Sequence, residues 1–478
     1  MNRSLPLLIL AACAPKPVPV VEAPVSTPVV VDHLGPLPTI APSTAWAPPT
    51  PTVTALANGA PVWTVPSAGL PLVTVVVSAP GGSARDPGTK EGTAWLSDRL
   101  MRQGAGALDA TAFAERVDRL GLQLDVQTGR ADSAIVLSAR RDVLEQGLDL
   151  MADMVLRPTY GTVDFKREKG LAVDDLTAEQ DDQPSVAAKL GWREWFGAAH
   201  PYARPPGGTV AGMKAVALKD LTAYHSQVWR GGFQFTVAGA LSAEEATKLL
   251  DARFGKAPRT ASVVAPQPPV ATKANAKIVL VDKPGAAQTM FFWMFPGVSL
   301  GSTDLSATRA GTIALGGTFT SRLNQLLREK KGYTYGARAR VEALPGGGAL
   351  VVSSRIRTDV TAEAMKDFVS ELERIQQGVS DAELGKARET FRQDQVEAME
   401  SRGGVATTFA TYQAAGLGPT ALGADLAAMG TVTPESVKAQ MGRYARAGAL
   451  LVLVGDRAKI EKPLMDAGFG PFETRQPL

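Results

Sequence analysis

The chain is 478 residues long, yet it contains one cysteine and three histidines. A single cysteine cannot close an intramolecular disulfide, so the folded part must stand on its apolar core. Three histidines, none paired at a spacing of three or four residues, exclude a zinc site built from two imidazoles on one helix face. No apolar run is long enough for a membrane-spanning helix. Charge of one sign is scarce too: 50 basic against 47 acidic residues leave a formal charge of +3, too weak a bias to argue for nucleic acid. What remains is an ordinary globular composition, 45% hydrophobic and 20% charged, in a chain long enough for two or three domains.

The one cysteine is placed suggestively. MNRSLPLLILAAC carries Arg3, a short apolar stretch from Leu5 to Ala12, and small residues before Cys13. It reads as a secretory signal, and LAAC resembles the bacterial lipoprotein cleavage box, which implies lipidation of Cys13. The next stretch, 14–50, is rich in proline and nearly uncharged, as an extended tether would be. The expected location is the periplasmic face of a bacterial envelope. Ala14 carries no inner-membrane retention signal, so the outer membrane is the expected anchor.

From residue 51 the chain repeats itself. VVVSAPGGS matches FFWMFPGVS with Pro80 against Pro296, an offset of 216. Asp142 matches Asp359 at 217, and Gly239 matches Gly455 at 216. Three stretches in one register indicate a tandem duplication with units of about 200 residues, much longer than a solenoid repeat. The boundaries expected are 1–13 for the signal, 14–50 for the tether, 51–258 for the first unit, 259–276 for a proline-rich linker and 277–478 for the second unit.

Each unit mixes strand and helix periods. Phe113, Val117 and Leu120 lie on one helical face, TGRADS joins two alternating segments as a hairpin, and Leu144, Leu148, Met151 and Val155 return to the helical period before Pro158. In the second unit LPGGG joins another hairpin, followed by a helix carrying Met365, Phe368, Leu372 and Ile375. The expected fold is α+β: two tandem homologous units, each a largely antiparallel sheet with helices packed on one face, forming a clamshell. The serines have no histidine at plausible spacing for a triad, SDAE at Ser380–Glu383 reads as a capping box, and the glycine clusters Gly81–Gly82 and Gly346–Gly348 read as turns.

Three stretches carry a family resemblance over roughly residues 51–475: NGAPVWTVPSAGLPLVTVVVSAPGGSARDPGTKEGTAWL, HPYARPPGGT and LGGTFTSRLNQLLREKKGYTYGARA. Together they resemble the insulinase, pitrilysin and mitochondrial-processing-peptidase family. Members that cleave peptides carry H-x-x-E-H on the first helix, with a downstream glutamate as third zinc ligand. The resemblance sets Trp95 and Arg99 at the two histidine positions, Asp98 at the general base and Asp175 at the downstream ligand. Arginine cannot ligate a metal, so no zinc or other cofactor is expected on this chain, which alone should be inert. His200 and His225 are expected to be structural or surface residues.

The second unit keeps more. In the family an arginine and a tyrosine seven residues apart reach across to the zinc site, and here they fall on Arg328 and Tyr335. Thr320 or Ser321 is expected to cap a helix burying Leu323, Leu326 and Leu327, Gly332 to end it, and Tyr333 and Tyr335 to share a face of the next strand. A guanidinium and a phenol are suitable donors to the oxyanion of a tetrahedral intermediate.

The resemblance therefore implies a non-catalytic subunit. Its partner would carry H-x-x-E-H and the zinc, and the two chains would enclose a peptide. Two other readings stand beside it: a non-enzymatic clamp or scaffold for a peptide or envelope protein, and a lone peptidase using Asp98 and Asp175 with magnesium or calcium.

Overall fold

The computed structural model describes residues 46–230, 232–259, 277–444 and 448–478. Cys13, His33, residues 14–45 of the expected tether and residues 260–276 of the expected linker lie outside them.

The first lobe begins with β1 (Thr52–Ala55), β2 (Pro61–Pro66), β3 (Leu72–Pro80) and α1 (Thr93–Leu100). A small hairpin follows, β4 (Gly104–Ala105) and β5 (Leu108–Asp109), then α2 (Ala110–Leu120), β6 (Gln123–Thr128) and β7 (Asp132–Arg140). Helices α3 (Leu144–Leu156), α4 (Thr162–Glu179), α5 (Gln183–Phe196), α6 (Val210–Ala215) and α7 (Leu218–Val228) lead to β8 (Gln234–Gly239) and α8 (Ala243–Phe254).

The second lobe opens with β9 (Lys277–Asp282), β10 (Gln288–Pro296) and α9 (Leu305–Thr312), which runs on into a π-helical turn, Ile313–Gly317. A second π-helical segment, Asn324–Lys330, precedes β11 (Ala337–Leu344) and β12 (Gly347–Arg357). Helices α10 (Thr361–Gln376), α11 (Asp381–Ala398), α12 (Arg402–Ala414), α13 (Ala421–Thr431) and α14 (Pro434–Met441) come next. Strand β13 (Leu450–Gly455), α15 (Arg457–Asp466) and β14 (Phe472–Thr474) complete the lobe.

Each lobe holds one six-stranded sheet, β1-β2-β8-β3-β7-β6 in the first and β14-β9-β13-β10-β12-β11 in the second. The order repeats strand for strand, with one parallel pair in the interior of each sheet, β2 with β8 and β9 with β13. Val75 lies opposite Val237 in the first sheet, and Phe291 opposite Leu453 in the second. These are the same register shifted by the repeat offset read from the sequence. Only the outer edge differs. β1 precedes its neighbour and runs antiparallel to it, whereas β14 comes from the C-terminus and runs parallel to β9.

The expected amphipathic faces do bury. Phe113, Leu144, Leu148, Met151 and Val155 join Val73, Val75 and Val77 in the first core, and Met365, Phe368, Leu372 and Ile375 join Phe291, Trp293 and Phe295 in the second. Helices of each lobe thus cover one face of its own sheet. The other face is covered by a single helix from the opposite lobe. Val186, Ala187 and Leu190 of α5 pack on Met290, Phe292 and Met294 of β10. Ala406, Phe409 and Ala410 of α12 pack on Trp63, Val76 and Ala238 of the first sheet.

A central strand covered on both sides loses the polar alternation of a half-exposed one, and β10, MFFWMF between its ends, is buried throughout. The approach is close: a Cβ on Gly191 of α5 would lie 2.8 Å from the Phe292 ring. Polar ties fix the crossing, since the Gln183 side-chain amide donates to the carbonyls of Gln288 (2.8 Å) and Val454 (3.0 Å). Thr236 and Gln413 bond at 3.0 Å on the α12 side.

Phe409→Ala empties the centre of the α12 contact and is expected to cost about 3–5 kcal/mol in chemical denaturation. Val163→Ala, at a position 76% exposed, should change stability by no more than about 0.5 kcal/mol.

Candidate functional site

Helix α1 carries Trp95, Asp98 and Arg99, the residues that the resemblance sets at zinc-motif positions. Asp86 starts it from outside, its carboxylate accepting the backbone N–H groups of Gly92 (2.6 Å) and Ala94 (2.7 Å). That is the orphaned-donor end of a helix, where a carboxylate is favoured. Trp95 and Arg99 lie one turn apart, with the guanidinium 5.0 Å from the indole ring centre. Arg99 Nε donates to Glu168 of α4 at 2.5 Å, and Arg167 reaches the other oxygen of Glu168 at 3.3 Å. Asp175, two turns along α4, is exposed and forms no ion pair with Arg99.

Asp98 turns away from this cluster into the core. It is fully buried and accepts from Thr128 Oγ1 (2.8 Å), Ser133 Oγ and Trp229 Nε1 (3.0 Å). Burial pushes its carboxyl up to about 6, against the pull of these three donors. Boxed in this way, it braces α1 against β6, β7 and the end of α7. Zinc does not fit here: a paired guanidinium stands at one ligand position and an indole at the other. Among the described residues no trio of histidine, cysteine, aspartate or glutamate is arranged to hold a metal.

The two described histidines have structural partners. His225 Nε2–H donates to the Val155 carbonyl at 2.8 Å, and burial lowers its pKa to about 4. His200 Nδ1 accepts from the Tyr202 N–H at 3.0 Å, with its ring stacked on Phe196.

The Arg328–Tyr335 junction is built by local geometry. Leu323 and Leu327 are buried and anchor the helix, while the Ser321 hydroxyl accepts from the Asn324 carboxamide at 3.2 Å. Gly332 takes a positive φ of 63°, and the N–H of Tyr333 bonds back to the Leu327 carbonyl at 2.8 Å, closing the helix end. The expectation that Tyr333 and Tyr335 share a strand face is corrected here, because β11 starts at Ala337. Thr334 makes a side-chain turn, its Oγ1 accepting from Gly336 N–H at 3.1 Å, and this delays the strand. Tyr333 then packs against the second core, and Tyr335 stands 91% exposed. Asn324 ties the two segments by bonding both backbone groups of Ala337, at 2.8 and 3.0 Å.

Arg328 and Tyr335 line one cavity of about 1000 Å³. The Arg328 guanidinium lies 3.7 Å from the ring centre of Phe319, which flattens it at the wall. Pro184, at the start of α5, brings the first lobe to the rim, whereas Trp95, Asp98, Arg99 and Asp175 take no part in the lining. The sequence reading missed Glu168, Phe319 and three further arginines in the wall, Arg338, Arg340 and Arg355. The alternating ARAR of β11 was a usable signal for two of these arginines. Nothing local marks the other residues.

The insulinase (peptidase family M16) profile matches residues 64–192. The peptidase M16 inactive-domain profile matches residues 215–391, and the two together span well over half of the chain. The chain belongs to the M16 peptidase family.

A protein of Mycobacterium tuberculosis named an uncharacterized zinc protease is 24% identical to this M16 chain over 317 residues, 65% of this chain and 72% of the relative. The non-peptidase homolog YmxG of Helicobacter pylori is 21% identical over 324 residues, 67% of this chain and 74% of the relative. The crystal structure of a peptidase M16 inactive domain from Pseudomonas fluorescens shares the fold, with a TM-score of 0.78 at 23% identity, covering 85% of this chain and 98% of that one. A protease structure from Helicobacter pylori also reaches 0.78, at 20% identity, over 84% and 99% of the two chains.

Two outcomes are expected of this M16 chain's first lobe. Arg99→Ala leaves the buried Glu168 with Arg167 alone and should cost about 1–3 kcal/mol, between the ranges of exposed and buried pairs. Combining it with Glu168→Gln should cost less than the sum of the two, as read by a double-mutant cycle.

The second outcome concerns pH. Asp98 is held at about 6, above its ordinary 3.8, so the folded chain binds this proton more tightly than the unfolded one. Its contribution to stability is therefore present at low pH and lost as pH rises through about 6. At about 1.4 kcal/mol per pH unit the span is on the order of 3 kcal/mol. Stability should fall more steeply between about pH 4 and 7 in the parent than in Asp98→Asn, which keeps the contribution of Asp86, a second buried carboxyl raised to about 7. Equal slopes in the two proteins would show that Asp98 does not titrate in this range.

Proposed function

We propose that this chain is the non-catalytic subunit of a two-chain zinc peptidase. Its partner carries H-x-x-E-H and binds the zinc, and this chain supplies Arg328 and Tyr335 while helping to enclose the peptide. The observation that carries the reading is an asymmetry between the lobes. On α1 the Arg99 guanidinium, paired with Glu168 of α4, stands where a ligand is needed, whereas in the second lobe Arg328 and an exposed Tyr335 face one cavity. Stacking on Phe319 holds the guanidinium, and its Nε lies 3.4 Å from Glu329, which leaves the two terminal nitrogens to donate. The Tyr335 hydroxyl has no partner among the described residues, so it is available to an oxyanion as well. The name non-peptidase homolog carried by one relative accords with this division of labour. On the same reading Cys13 bears a lipid, and the subunit works at the periplasmic face of the envelope.

The test is peptide hydrolysis by the tagged protein purified from its native host. Chelator-sensitive activity should co-purify with a second chain. Arg328→Ala should lower that activity by about a hundredfold to a thousandfold, with the partner still bound. If activity is absent, or the variant cleaves as well as the parent, the subunit reading fails and a non-enzymatic peptide clamp takes its place.

A further inference from the structure

We propose that the cavity beside Arg328 and Tyr335 selects peptide segments bearing carboxylates, which pair with Arg338, Arg340 and Arg355. The proposal rests on reading this cavity as the peptide-facing surface of the chain.

Sheet geometry gathers the charges. On β11, Ala337 and Ala339 are buried and Arg338 and Arg340 are exposed, so the arginines share the opposite face. Arg338 lies across from Ser353 of β12, and Arg355 lies across from Met290 of β10. All four residues line the cavity. Arg328 enters from around the sheet edge, so four guanidinium groups meet there and no aspartate or glutamate is in the wall.

Their counter-charges sit outside the wall. Arg340 pairs with Glu342, Arg355 with Asp182 at 3.5 Å, and Arg328 with Glu329 at 3.4 Å. Arg338 has no ion pair among the described residues. Exposed pairs of this kind are weak, and an incoming carboxylate can exchange for them. Like charges on neighbouring strands repel in the empty cavity, and an anion relieves that repulsion.

Guanidinium groups bind carboxylates through two parallel hydrogen bonds, a match that a lysine patch lacks. Ser353, Ser354, Thr318 and Asn324 add neutral polar groups, while Phe319 and Met290 offer surface to aliphatic stems. A volume of about 1000 Å³ is at the upper end for small-ligand pockets and admits several residues of extended chain. Glutamate or aspartate side chains and a chain's terminal carboxylate share the chemistry required.

Binding is measured on the full chain alone by fluorescence anisotropy. The probes are short labelled peptides of equal length: one with several glutamates and an amidated C-terminus, its glutamine counterpart, and the glutamine peptide with a free C-terminus. The glutamate peptide should bind at least about tenfold more tightly than the amidated glutamine peptide. The preference should fade at high salt and disappear in an Arg338→Glu, Arg355→Glu double variant that melts like the parent. Preference for the free-terminus peptide alone would support the proposal and assign the ligand to the terminal carboxylate. Equal binding of all three peptides, or unchanged preference in the folded double variant, overturns it. Because no partner or hydrolysis is involved, a failed subunit test leaves this result standing. Conversely, loss of carboxylate selectivity leaves a hydrolytic role of Arg328 untouched.

Discussion

Neither sheet of this chain can bury both faces with helices of its own lobe. The first lobe covers the Val73–Val75–Val77 side and leaves Trp63, Val76 and Ala238, while the second covers Phe291, Trp293 and Phe295 and leaves Met290, Phe292 and Met294. Each leftover face is apolar and would be costly to expose to water. The exchange of α5 and α12 removes both at once, and its reciprocity follows from the duplication: the two helices occupy equivalent places in the two units. It also explains why a glycine faces Phe292 on α5, where a larger residue would hold the helix off the sheet. Pulling the lobes apart would uncover both faces together, so two hydrophobic contacts hold them as a pair.

The same crossing shapes the candidate site. α5 begins at the rim of the Arg328 cavity, through Pro184, and Asp182 just before it pairs with Arg355. A first-lobe helix therefore contributes both a wall and a counter-charge to a second-lobe cavity. Its opposite end is tied down as well, by Glu194 with Lys277 (2.6 Å) and Arg475 (2.9 Å). The Arg328–Tyr335 junction hangs on Asn324, whose carboxamide pairs with Ala337 as a neighbouring peptide group would. One buried side chain thereby fixes the start of the helical segment against the strand start, with Tyr335 on the connection that leads from one to the other.

In the first lobe, polar contacts fix the helix on which the resemblance sets the zinc-motif positions. Asp86 still caps α1, Asp98 still braces it, and Arg99 links it to Glu168 on α4. A cation-mediated cross-link between two helices holds them whether the cation is a metal or a guanidinium. Between α1 and α4 of this chain that cross-link is the Arg99 guanidinium on Glu168.

Much of this was legible in the residues. The repeat offset put β3 on β10 and β8 on β13, and the hairpins fell at TGRADS and LPGGG. Leu144 and Leu148 of α3 went inside, as did Met365 and Phe368 of α10, because helical periodicity is a local property. Other features required the folded chain. A helix stripe shows that a face is buried but does not name the surface that buries it, so the crossing of α5 and α12 could not be read from their sequences. Arg99 meets Glu168 across 69 positions, and Arg338 joins Arg355 in one cavity only through strand pairing. Tyr335 left the strand because a threonine side chain made a turn that competes with the ladder. Local periods and residue chemistry were set by the sequence itself; which faces and charges meet was decided by tertiary packing, because contacts between distant segments depend on the whole chain closing around them.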